Sequence, residues 1–159
     1  MANTPLPTRG PDDVSLEYGD DRSDKEVFLQ ATGLKKDSDP SKPRHVLIYW
    51  VNATLSGSIE VWDTTQLQPN GYQGHQYHYP NALKVDAMER SRNQTISLGI
   101  FTSEQREHLL ELAADVEYDQ FATESSVWMH KLLAKMVEEN LISLLLFNTI
   151  RREVPPHST

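Results

Sequence analysis

Residues 45–65 read HVLIYWVNATLSGSIEVWDTT, and the pairing of this stretch decides the architecture. From His45 to Ala53 Val, Ile, Tyr and Trp dominate a near-continuous apolar run, which favours a strand covered on both faces. Ser56-Gly57-Ser58 breaks the run with turn chemistry, and Ser58–Thr65 returns. The two segments predict an antiparallel hairpin. On the returning strand Ile59, Val61 and Asp63 alternate onto one face, and Glu60 and Trp62 onto the other.

Working outward, EVFLQATGL (26–34) is predicted as a preceding strand, and KKDSDPSKP after it as a loop. Beyond the hairpin, QLQPNG is a turn, GYQGHQYHYP (71–80) begins another strand, and Thr95–Ile100 supplies a shorter one. The second half is helical. Thr102 and Gln105 have capping-box spacing at the head of TSEQREHLLELAADV. After a polar break at 118–123, SSVWMHKLLAKMVEEN carries Met129, Leu132, Leu133, Met136 and Val137 on one face. Periodicity leaves LISLLLFNTI (141–150) open between a helix and a buried strand. The expected fold is α+β, a small antiparallel sheet packed against two C-terminal helices. Residues 1–23, with three prolines and two Asp pairs, read as a flexible arm, 24–152 as a single domain, and 153–159 as a tail.

Composition narrows the function. The 159 residues are 38% apolar, and 15 basic against 23 acidic side chains give a net charge of 15 − 23 = −8. Such a balance argues against nucleic-acid binding, which needs clustered Lys and Arg. With no Cys, thiol nucleophiles, zinc–thiolate sites and disulfides are excluded. No run approaches the ~18 apolar residues of a membrane span. The opening MANTPLPTRGPDD lacks a secretory pattern, so a cytoplasmic protein is expected. There is no phosphate loop, His-Glu-x-x-His or Gly-x-Ser-x-Gly motif, and no cofactor is expected.

The candidate site residues start from His45, at the head of the strongest strand. A histidine titrates near neutral pH, so it is the natural proton-transfer group. Alternation puts Leu47 and Tyr49 on its face, the face expected to meet the helix. Asp63 on the paired strand would orient the ring, and Ser125 at a helix start would complete a base, carboxylate and hydroxyl in outline. Ser125 also has a structural explanation as an N-cap, and His130 one as a solvated helical residue. In the aromatic segment, His75, Tyr77 and Tyr79 alternate onto one face and would wall a substrate pocket with Tyr49. His75 and His78 would point to opposite faces, so no metal site is expected.

The order of EVFLQATGL, RHVLIYW, SIEVWDTT and YDQFATESSVWMHKLLAKMVEENLI resembles a family of small fungal proteins of uncharacterised function. Its members have a strand ending near Thr-Gly, a strand opening Asn-His-Trp, a hairpin return and a Gly-Cys-Arg-x-Trp helix start. The likeness spans about residues 26–142 and implies a scaffold similar to circularly permuted papain-like folds. By position it carries the strand histidine onto His45, the helix tryptophan onto Trp128 as a substrate-binding residue, and the cysteine onto Ser125. The family's glycine and cysteine are Glu124 and Ser125 here, so thiol acyl transfer is out.

These readings converge on a small cofactor-independent enzyme. It would use general acid–base chemistry (isomerisation, cyclisation or elimination) on a small organic substrate, and the resemblance suggests fungal secondary metabolism. The alternative is a non-catalytic module that binds a small molecule or forms a homodimer, with residues 141–150 as the self-association surface.

Overall fold

The computed structural model describes residues 12–39, 41–69, 74–77 and 81–156. Six strands form one antiparallel sheet, with helices against one face. The strands are β1 (Lys25–Ala31), β2 (Val46–Thr54), β3 (Ile59–Pro69), β4 (His75–Tyr77), β5 (Ala82–Asp86) and β6 (Gln94–Phe101). The helices are α1 (Ser103–Asp115), α2 (Ser125–Glu138) and α3 (Leu144–Glu153). The order across the sheet is β4-β3-β2-β1-β6. β3 is long enough to hold β2 along one edge and, on the other, β5 near its start and β4 at its end. The α+β expectation is met. β5, which went unread in the sequence, completes the sheet.

The predicted hairpin forms, with Tyr49 opposite Thr64 and Trp50 opposite Asp63. Register then determines the two faces. Val46, Ile48 and Trp50 on β2, Val27, Leu29 and Ala31 on β1, and Leu67 on β3 are all buried in the core. Trp128, Met129, Leu132, Leu133 and Met136 of α2 close over them, as the helical periodicity required. His45, Leu47 and Tyr49 therefore face away from the helices, contrary to expectation.

The helix termini explain themselves locally. Thr102 Oγ1 accepts the Gln105 amide at 3.1 Å, and Gln105 Oε1 accepts the Thr102 amide at 2.8 Å, the capping box read from sequence. Of residues 141–150, the stretch from Leu144 on is helical as part of α3, and the N-cap Ser143 side chain accepts the Leu146 amide. His130 is buried rather than solvated, and its Nε2–H donates to the Val154 carbonyl at 2.7 Å. Val154 is itself 1% exposed, so the packed domain runs past residue 152.

Part of the expected N-terminal arm is packed as well. Asp13 Oδ1 accepts the Ala82 amide at 2.6 Å, and Val14 N–H donates to the Ala82 carbonyl. Arg106 of α1 is fully buried and holds Asp20 through Nε–Oδ2 at 2.9 Å and Nη2–Oδ1 at 3.1 Å. The remaining Arg106 bonds reach the Phe101 and Asp21 carbonyls. A charge this deep requires such a bidentate partner.

Candidate functional site

Asp63 sits on the helix-side face of β3, between Trp50 of β2 and Ala82 of β5. It is 8% exposed and opens into a cleft of about 370 Å³ walled by Ser15, Asp20, Ser103, Glu107 and Leu110. Burial pushes its carboxyl up to about 6, and the negative charges of Asp20 and Asp13 push the same way, against the Asn52 side chain and Lys25. Asp20, in the same cleft, is displaced oppositely. Burial raises it, but hydrogen bonds from Arg106 and Lys25 outweigh that effect and leave it below the ordinary carboxylate value. Lys25 Nζ reaches Asp20 Oδ1 at 2.6 Å. One carboxyl thus exchanges its proton close to neutral pH while its neighbour is held ionised. Such a division separates acid and base roles in enzymes that work near neutral pH.

His45 lies elsewhere. Its Nε2 meets Gln66 Oε1 at 2.5 Å, Gln66 Nε2 donates to Thr64 Oγ1 at 3.1 Å, and the Thr64 hydroxyl donates to the Asn81 carbonyl at 3.3 Å. This chain runs across the outer face of the sheet. Because the Gln66 amide nitrogen is spent on Thr64, its oxygen faces the ring, and His45 carries its proton on Nε2. Burial lowers the His45 pKa more than the Gln66 contact raises it, and the nearby His75 lowers it further. The ring is neutral at physiological pH.

Ser125 has a structural task. It does not cap α2, whose N-cap residue is Glu124. Its Oγ instead accepts the Val46 amide and donates to the Val46 carbonyl, both at 3.1 Å. The ladder between β2 and β3 begins at Leu47–Gln66, so Ser125 supplies the next rung. The proposed triad therefore does not assemble. His45 is on the outer face, Ser125 is tied to backbone on the inner one, and Asp63 lies about five residues, or roughly 16 Å, further along the strands.

The expected pocket walls also separate. Tyr49 is on the His45 face but 1% exposed, stacked on Trp62 with ring centroids 3.6 Å apart and on Phe28 at 5.1 Å. Tyr77 and Trp128 belong to the core, where their rings meet at 5.3 Å. His75 is half-buried on β4, opposite Pro69. Tyr79 and His78 lie outside the described residues. Among the described residues, no cluster of three His, Cys, Asp or Glu side chains is placed to hold a metal ion. Likewise, no helix there is long and apolar enough to cross a membrane.

Of the cleft residues, only Asp63 was singled out from sequence. Arg106 carried a usable signal, because it precedes Leu109 by three residues and so falls on the apolar stripe of α1. A charge in that position demands a buried partner. Comparison with protein-family models, with curated proteins and with solved structures finds no match to this chain.

Proposed function

We propose that the protein acts on a small organic molecule by cofactor-independent general acid–base chemistry, in the cleft above Asp63. The observation that carries this reading is the opposed pair of carboxyls, Asp63 held up near 6 and Asp20 held down, in one cleft. Asp63 is the proton-transfer group, and Asp20, ionised and paired with Arg106 and Lys25, is a fixed polar wall of the cleft. Positioned proton transfer of this kind contributes about 10²–10⁴-fold, enough for the isomerisation, cyclisation or elimination of a reactive compound. With Asp21 and Glu107 also on the walls against the cation Arg22, the cleft favours a neutral or cationic substrate over an anion. The resemblance noted above makes fungal secondary metabolism the proposed setting.

The test is an untargeted metabolite comparison of cells producing the wild-type chain, Asp63→Asn, or neither. The wild-type chain is expected to change at least one small molecule, and folded Asp63→Asn to leave it unchanged. Identical profiles with and without the wild-type chain would overturn the enzymatic reading.

A second reading, a self-associating module, has one observation in its favour. Leu144 and Leu145 at the start of α3 are 60% and 76% exposed. Its test is the mass in solution.

A further inference from the structure

A second cleft, of about 280 Å³, lies at the other end of the sheet, between the loop after β1 and the end of α3. Its size is near the lower limit for small-molecule pockets. β1 runs from Lys25, beside Asp63, to Ala31, so about 20 Å of strand separates the two clefts. Their charges differ in sign. This one is lined by Lys35, Lys42, Arg44 and Arg152 against Asp39 and Glu153, an excess of 4 − 2 = +2 in a chain of net charge −8.

Two of the cations have local explanations. Lys35 pairs with Glu153 at 3.2 Å, and Arg152 complements the carbonyl end of α3. The other two keep donors to spare. Arg44 is locked in place by three bonds, from Nε to the Thr32 carbonyl, from Nη1 to Gln94 Oε1 and from Nη2 to the Gly33 carbonyl. Gly33 presents that carbonyl from a left-handed turn with φ of 77°. A guanidinium has five N–H groups, so two remain beyond the three bonded ones, on a group that cannot rotate away. Lys42 lines the same cleft with its ammonium in no described ion pair or hydrogen bond. Opposite them stand Pro155 and Pro156, which present ring carbons and no N–H.

We propose that this cleft binds a small organic anion, with a carboxylate or phosphate group held by Arg44 and Lys42 and an apolar body against Pro155 and Pro156. Preorganisation of Arg44 favours a planar or tetrahedral oxyanion over a diffuse counter-ion. The proline wall favours an organic ligand over a bare ion.

The test titrates the full chain with phenyl phosphate, benzoate and inorganic phosphate, read by calorimetry at low salt. Phenyl phosphate or benzoate is expected to saturate the protein below about 10 mM and at least tenfold more tightly than inorganic phosphate. Which of the two binds better distinguishes a phosphate from a carboxylate ligand. The substitution Lys42→Gln, which leaves the Arg44 bonds in place, should weaken binding at least tenfold without lowering Tm. No saturation by either organic probe, equal affinity for inorganic phosphate, or unchanged binding in Lys42→Gln would each overturn the assignment. Because the readout is binding and Asp63 is untouched, the outcome is independent of the acid–base reading.

Discussion

The Ser125 hydroxyl closes both backbone groups of Val46, a residue 79 positions earlier, with one bond in each direction at 3.1 Å. A side chain here does the work of a strand. Ser125→Ala would leave a buried N–H and a buried carbonyl without partners, at a cost of about 1–3 kcal/mol. Tm should fall by several degrees. A serine-reactive fluorophosphonate should leave Ser125 unlabelled in the native protein, since its proton is committed to a carbonyl. Rapid stoichiometric labelling would restore a nucleophilic role.

Asp63 should impose a pH dependence of definite sign. Its folded-state value of about 6 lies above the ordinary 3.8, so the native chain binds this proton more tightly than the unfolded one. The contribution to stability is full below about pH 4, declines as pH rises towards 6, and is absent above. Asp63→Asn should therefore stabilise the protein at pH 7–8, by up to about 3 kcal/mol, and should do little at pH 4. Melting curves at the two pH values check this. Higher stability together with lost activity is what a strained functional carboxyl predicts. A variant less stable than wild type at pH 8 would show that the Asp63 charge is well accommodated.

His45 behaves in the opposite sense. Its folded-state pKa is lowered, so protonation opposes folding, and stability falls as pH drops through its ordinary value of 6.5. His45→Gln should reduce this acid sensitivity while costing only about 0.5–1.5 kcal/mol at pH 7, where a single hydrogen bond is perturbed. The metabolite change attributed to the wild-type chain should persist. An inactive His45→Gln protein with a normal Tm would move the chemistry to the outer face of the sheet.

Leu145 tests the second reading. If α3 mediates self-association, light scattering at high concentration should give about twice the 18.1 kDa chain mass, and Leu145→Glu should return it to that value. A monomer at all concentrations removes the module.

The hairpin, the capping box and the apolar face of α2 were legible because each depends on residues close in sequence. The facing of β2 was not. Val46 to Val51 is apolar at every position, so both alternating sets, Val46-Ile48-Trp50 and Leu47-Tyr49-Val51, qualified as core. Register alone could not choose between helices on one side and the Phe28–Tyr49–Trp62 stack on the other. The same ambiguity misplaced His45. β5 escaped because Ala82–Asp86 is five residues long with a lysine at its centre. Asp63 was picked out, but for a partner it does not have. Its cleft neighbour Asp20 is distant in sequence and is fixed there by Arg106 only when α1 docks.

The bond between Arg106 and Asp20 also says where the folding unit begins. It joins positions 86 residues apart, ahead of the first strand. A truncated chain starting at Lys25 would retain every strand and helix among the described residues, yet would enclose a guanidinium with its counter-charge cut away. Exchanging the opening residues for a foreign leader or affinity handle is then not a neutral edit. It removes half of an internal ion pair and one wall of the acidic cleft in the same stroke.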